Sequence, residues 1–351
     1  MATATASNYS ADSGEDILIG LNFSSALSLL AASLSVGDMT ELTGVSGLNT
    51  LDGSGFYPNE SAANDIAHDW SIRSVWSAAL QKGFFIGAGA GFLGDAGVHS
   101  ITLEYDAASN DLSSVRDPFS GVSLGHGYSS FVLKDNIIYK MPFSANAIVL
   151  AWDGLNGVEV ASGISDVPSN IGGSSAYNSV HGLEYMPTLG VSGSLIHVNS
   201  SQGRINKYDF DTATWTNIDS GLVINAGAAF VHYNENSDII VFGGVNAGTP
   251  IYTMDSSETI TLTGNLPANV FNQGCFIAAP NDNTSLLFSE DGNLYPLDTT
   301  NGVWGSSSSI PVLSGADIGN SIAMVIPEHN CILFERYASG GNSTVYLYRY
   351  S

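Results

Sequence analysis

The sequence predicts an all-β fold, a six-bladed β-propeller of four-stranded blades whose last blade is closed by a strand from the N-terminal region. Three observations predict it. A hairpin pattern recurs five times, an apolar run precedes each copy at a similar offset, and a sixth copy stops after its third strand.

The clearest copy is Gly203–Ile218, GRINKYDFDTATWTNI. Arg204–Phe210 alternates polar and apolar residues and is rich in β-formers. Asp211–Thr214 is turn chemistry, and a second strand starts behind Trp215. The same pattern appears at Ser100–Val115, Ala147–Ala161, Ile251–Leu262 and Asn293–Trp304. Its turn aspartates read as Asp106, Asp153, Asp211, Asp255 and Asp298, at spacings of 47, 58, 44 and 43 residues. A period in this range fits one four-stranded sheet per repeat, as in propellers.

Upstream of each hairpin lies a continuous apolar run, such as Phe84-Phe85-Ile86, Ile137-Ile138-Tyr139, Leu195-Ile196, Ile239–Phe242, Leu286-Leu287-Phe288 and Ile332-Leu333-Phe334. Such runs suit strands covered on both faces. Before these come segments rich in small residues, including Gly127–Leu133, Gly227–His232, Gly274–Ala279 and Gly319–Val325. Strands crowded around an axis call for small side chains.

Thr344–Tyr350 is a third strand with nothing after it except Ser351. Val36–Leu42 reads like the fourth strands elsewhere, so residues 36–43 are expected to complete the last blade. Ring closure removes exposed strand edges. The competing arrangement is an open or seven-bladed ring, but residues 44–65 are too few for another blade. The expected organisation is therefore an N-terminal arm at 1–35 and one propeller at 36–351. Within the arm, Ser24 or Ser25 is placed to cap a short helix through Leu34. Its apolar residues Leu27, Leu29, Leu30 and Leu34 either pack under the propeller or dock on a partner.

This repeat order resembles the kelch type of β-propeller, including the central domain of galactose oxidase. Gly243-Gly244 and the hairpin residues Tyr208 and Trp215 carry the resemblance. Other copies depart from it, with Gly87-Ala88-Gly89, Lys140-Met141 or Ser289-Glu290 in place of the double glycine. Galactose oxidase-like activity implies copper held by His and Tyr with a Tyr–Cys crosslink. Cys275 sits in an inner strand, but the accompanying ligand pattern is not found. Sialidase-like propellers imply an Arg triad and Asp-box repeats, whereas this chain has five Arg and no such box.

Hydrophobic residues make up 44% and charged residues 12%, so surface polarity must come from Ser, Thr, Asn and Gly. Acids outnumber bases 33 to 9, giving a net charge of −24. That excludes nucleic-acid binding by phosphate neutralisation and disfavours anionic membranes. No apolar stretch is long enough for membrane insertion, and no secretory signal is expected at the N-terminus. Cys275 and Cys331 lie in apolar strands and read as buried free thiols.

No HExxH, CxxC, GxSxG or P-loop pattern appears, so no metal, cofactor or catalytic residue is assigned. The turn aspartates are read as turn formers rather than as a calcium ladder. Arg73, His126, His181, Asn225 and Gln273 stand near the starts of the inner strands of the first five blades. Those starts converge on one mouth of the central channel, which makes the five residues candidate ligand-binding groups. Hydrogen bonding to neighbouring blades or to channel water is their alternative use.

The leading expectation is a non-enzymatic structural or attachment protein of a bacteriophage virion, in the tail, neck or capsid surface. Its arm would dock on other virion proteins. The motivating features are the four lysines, the Ser, Asn and Gly content, and the arm. The second expectation is a glycan-binding or glycan-processing propeller, secreted or at a cell surface. It would use the mouth near His126 and His181, with Tyr57, Tyr128 and Tyr177 stacking on sugars.

Overall fold

One aspartate ends the third strand of each complete repeat, and its carboxylate builds the turn that follows. In a computed structural model of the chain, Asp106 Oδ1 accepts from the N–H groups of Ala108 (2.8 Å) and Ser109 (3.2 Å). Asp153 does the same for Leu155 and Asn156 (2.8 and 3.2 Å). Asp255 takes Ser257 and Thr259 (both 2.9 Å), and Asp298 takes Thr300 (2.9 Å). Each turn ends on a left-handed residue, Asn110, Gly157, Ala213, Glu258 or Gly302, with φ from 52° to 72°.

The third repeat corrects the sequence reading. Its turn aspartate is Asp209, whose Oδ1 accepts from Asp211 and Thr212 N–H (2.8 and 3.1 Å). Asp209 pairs with Thr214 across the hairpin, as Asp106 pairs with Asp111 and Asp153 with Val158. Asp211 instead reaches the loop before the second strand. It accepts from Val191 N–H (2.8 Å), Ser192 N–H (3.1 Å) and Ser192 Oγ (2.6 Å). The turn spacings become 47, 56, 46 and 43 residues.

The structure describes residues 25–46, 74–88, 100–116, 119, 130–141, 148–171, 182–224, 228–270, 275–278, 283–289, 291–310, 321–336 and 344–351. They hold one α-helix, α1 (Ala26–Ser33), and six antiparallel sheets. The N-terminal strand is β1 (Met39–Glu41). Blade one is β2 (Val75–Ser77), β3 (Lys82–Ala88), β4 (Ser100–Asp106) and β5 (Asp111–Arg116). Blade two is β6 (Phe131–Lys134), β7 (Ile137–Lys140), β8 (Leu150–Asp153) and β9 (Val158–Val160). Blade three is β10 (Gly182–Met186), β11 (Ser194–Asn199), β12 (Arg204–Asp209) and β13 (Thr214–Ser220). Blade four is β14 (Ala229–Asn234), β15 (Ile239–Gly244), β16 (Pro250–Asp255) and β17 (Ile260–Asn265). Blade five is β18 (Cys275–Ala278), β19 (Thr284–Phe288), β20 (Asn293–Asp298) and β21 (Val303–Trp304), with β22 (Ser308–Ser309) also on β20. Blade six is β23 (Ser321–Ile326), β24 (Cys331–Arg336), β25 (Thr344–Arg349) and β1.

The first strands of successive blades touch each other, which places them around the axis: β2 lies between β6 and β23, and β10 between β6 and β14. Their approach is close at Gly182, where a Cβ would stand 2.7 Å from Val231 Cγ1 of the next blade. On β3 of blade one, a Cβ on Gly83 would overlap the flexible Met324 thioether of blade six. The apolar second strands are enclosed, with Phe84, Phe85, Ile196, Val241, Phe242 and Phe334 all fully buried. Core clusters straddle the blade interfaces, with Phe85 against Phe131 (6.1 Å between ring centres) and Phe288 against Phe334 (5.1 Å). Burial between sheets, at roughly 25 cal/mol per Å² of apolar surface, is what holds neighbouring blades together.

β1 closes the ring as the sequence predicts. It runs antiparallel to β25, with Met39 opposite Tyr348, Thr40 opposite Leu347 and Glu41 opposite Tyr346. Flanking bonds from Gly37 N–H to Arg349 O and from Leu42 N–H to Val345 O, both 2.8 Å, extend the pairing. The chain then crosses to blade one. Ser46 N–H donates to Asn110 O and Ser46 O accepts from Leu112 N–H, both at 3.0 Å, along the outer edge of β5. One short segment thus fastens both sides of the seam between the last blade and the first.

Candidate functional site

All five candidate ligand-binding residues, Arg73, His126, His181, Asn225 and Gln273, lie outside the described residues. Their nearest described neighbours are at the strand starts, where Ser74 Oγ donates to Ala323 O at 2.7 Å across the seam between blades one and six.

The arm residues are described from Ser25 onward. Ser25 caps α1, its Oγ accepting from Ser28 N–H at 3.1 Å. Leu27 and Ala31 are buried in the core cluster of blades six, one and two, and Leu30 and Leu34 pack against its margin. Leu29 faces outward at 62% exposure, as does nearby Val36 at 65%. The C-terminal end of α1 is held from the far end of the chain. Arg349 Nη1 donates to the carbonyls of Ala31 and Leu34, both at 3.2 Å. A cation here also complements the negative end of the helix dipole.

Enclosed polar groups at the blade interfaces form the other notable feature. Glu184 on β10 is 4% exposed, and its two oxygens accept from Tyr185 N–H (2.9 Å) and from Tyr233 N–H on β14 (3.0 Å). It joins the inner strands of blades three and four. Asn234 reaches from blade four to Thr284 O (3.1 Å) and Ser285 Oγ (2.9 Å) of blade five. Lys134 of blade two lies over the rings of Tyr185 and Phe210 of blade three, at 5.5 and 5.1 Å.

Lys140 is wholly buried, bonded to Ser130 Oγ at 2.5 Å and 5.5 Å from the centre of the Phe131 ring. Burial lowers its ammonium from 10.5 to about 7. His197 is also wholly buried, beside Asn206 Nδ2 (3.3 Å) and edge-on to Trp215. Burial holds its ring neutral, lowering it from 6.5 to about 3. The sequence reading missed Glu184, Lys140 and His197 as interior groups. Each lies in a short apolar run; Glu184 bonds to the neighbouring blade, whereas Lys140 and His197 meet partners within their own blades.

Among the described residues, no three His, Cys, Asp or Glu side chains gather where they could hold a metal ion. No helix among them is long and apolar enough to cross a membrane. Cys331 is a buried free thiol, raised by burial to about 11, while the side chain of Cys275 lies outside the described residues.

No protein family model matches the chain, and no curated protein matches its sequence. Solved structures do resemble it. A structural genomics protein of unknown function from Bacteroides thetaiotaomicron aligns with a TM-score of 0.51 at 12% identity, over 88% of this chain and 75% of that one. The likeness is one of fold. A virginiamycin B lyase from Staphylococcus aureus aligns with a TM-score of 0.39 at 12% identity, over 61% of this chain and 68% of that one, too remote to carry an argument. Fold and likeness together establish a six-bladed β-propeller and leave its activity to be argued from this chain's own residues.

Proposed function

We propose that this chain is a non-enzymatic structural and attachment protein, a bacteriophage virion component in which a rigid propeller is carried into the particle by its N-terminal arm. The observation that carries the reading is the anchorage of α1. Leu27 is sunk into the core and Arg349 grips the last turn, so the described part of the arm, from Ser25 onward, is fixed beside blade six. Leu29 and Val36, on and just after α1, present exposed apolar side chains where other virion proteins would seat. A net charge of −24 supports the assignment by keeping the disc off nucleic acid and anionic membrane.

The kelch-type assignment belongs to the same proposal. Gly243-Gly244 ends the second strand of blade four, and a Cβ on Gly243 would meet Pro250 O at 2.7 Å. Tyr208 and Trp215 form a cross-strand pair 5.3 Å apart in blade three.

The experiment is particle incorporation of the full chain and of a variant lacking residues 1–24, scored by mass spectrometry of purified virions. The boundary matters, because a cut at 35 would remove Leu27 and confuse assembly with folding. The proposal expects the full chain in particles and the shortened chain folded but left out. Absence of the full chain from particles, or equal incorporation of both, contradicts it.

A further inference from the structure

The chain contains two Asn-Gly dipeptides, Asn156-Gly157 and Asn301-Gly302. Such pairs are prone to spontaneous deamidation, because glycine leaves its amide nitrogen unshielded by a Cβ. Both occupy the same place in the same kind of turn, Asp153–Val158 in blade two and Asp298–Val303 in blade five. These blades stand opposite each other in the ring of six. Both asparagines are exposed.

In each turn a single aspartate clasps both groups that would react. Asn156 Nδ2 donates to Asp153 Oδ2 at 2.6 Å, and Gly157 N–H donates to the Asp153 carbonyl at 2.8 Å. Asn301 Nδ2 donates to Asp298 Oδ2 at 2.5 Å, and Gly302 N–H donates to the Asp298 carbonyl at 2.8 Å. The hydrogen bond from the Asn156 amide also draws the Asp153 carboxyl below the usual carboxylate range, which keeps the acceptor ionised.

We infer that Asn156 and Asn301 are latent deamidation sites, locked for as long as Asp153 and Asp298 hold the side-chain amide and the following N–H. In the reaction the glycine nitrogen attacks Asn Cγ and gives its proton to solvent. A new C–N bond closes a five-membered succinimide, and the Cγ–Nδ2 bond breaks to release ammonia. Water then adds to one of the two ring carbonyls and opens it to aspartate or isoaspartate. The net change is amide plus water to carboxylate plus ammonium, with no oxidant. Attack requires the glycine N–H to leave the Asp carbonyl, so the rate follows the fraction of time the turn is open.

The consequence is local and directional. A carboxylate at 156 or 301 would face the turn aspartate where a donor had stood. β9 pairs with β8 at three positions and β21 with β20 at two, so the strands behind these turns are short outer strands. Release of either leaves an unpaired sheet edge.

The test is peptide mapping by mass spectrometry of the intact folded chain during incubation at mildly alkaline pH, with isoaspartate-specific methylation as a second readout. In the native chain both sites should deamidate at least about tenfold more slowly than in the same chain unfolded in urea. Asp153→Ala should speed Asn156 by about that factor while Asn301 keeps its native rate, which also reports that the variant remains folded. Should that variant fail to fold, Asp298→Asn keeps an acceptor for Thr300 N–H but removes Oδ2, and should speed Asn301. Equal rates in folded and unfolded chains, or rates at these sites unmoved by Asp153→Ala in folded protein and by Asp298→Asn, overturn the inference.

Discussion

Arg349 Nη1 lies 3.2 Å from the carbonyl oxygen of Leu34, so the final strand of the ring holds the end of the helix that precedes its closing strand. The same guanidinium reaches Ala31 O at 3.2 Å, and its Nε donates to Ser351 O at 2.9 Å. Helix, closing strand and last strand are therefore one mechanical unit.

Arg349→Ala leaves two helix carbonyls without this donor. It should lower stability by about 2 kcal/mol, the usual worth of hydrogen bonds from a charged group. Urea denaturation checks the value. Arg349→Lys should recover part of it, since lysine restores the charge but not the fork.

Leu27 and Leu29 sit two residues apart on one helix with opposite fates, 0% and 62% exposed. Leu27→Ala should cost about 2–5 kcal/mol through lost burial and the cavity left behind. Leu29→Ala should change stability by less than about 0.5 kcal/mol. Chemical denaturation of the two variants side by side separates the packed face of α1 from the free one.

Ala213 is held at φ 52° at the end of the blade-three turn, where Gly157 and Gly302 stand in blades two and five. A left-handed alanine is strained by its Cβ. Ala213→Gly should therefore raise stability by about 0.5–1 kcal/mol, less the entropy glycine adds to the unfolded chain. Thermal unfolding gives the sign directly.

Lys140 makes stability depend on pH. In the unfolded chain its ammonium stays charged up to 10.5, whereas the fold holds it neutral above about 7. The unfolded state binds more protons through that window, so this residue's contribution to stability rises with pH from about 7 toward 10.5. The stability of the native chain relative to Lys140→Met should climb over that range and flatten below it. A difference that stays constant with pH contradicts the assignment.

The fold was readable because each repeat carries local turn chemistry. Asp106, Asp153, Asp255 and Asp298 each bond their own backbone, so one residue type at a regular interval marks each hairpin. In the third repeat Asp209 and Asp211 compete, and spacing cannot choose between them. Only the register, with Asp209 opposite Thr214, does so. The closing strand was readable for the complementary reason, that β25 needed a partner. Glu184, Lys140 and His197 were not readable as interior residues, since their partners Tyr233, Ser130 and Asn206 come from other strands that the local pattern does not identify. The polar mouth, Arg73, His126, His181, Asn225 and Gln273, rests on its sequence positions ahead of the inner strands.

The most direct test of ring closure is a disulfide between residues 41 and 346. Glu41 and Tyr346 are opposite each other at a position flanked by the Leu42–Val345 hydrogen bond, a non-hydrogen-bonded pair with the short spacing a disulfide accepts. Oxidation of the Glu41→Cys, Tyr346→Cys double variant should give an intramolecular 41–346 crosslink in nearly every molecule, mapped by mass spectrometry of its peptides. A folded double variant that forms no such crosslink would show that the ring is not closed by the N-terminal strand.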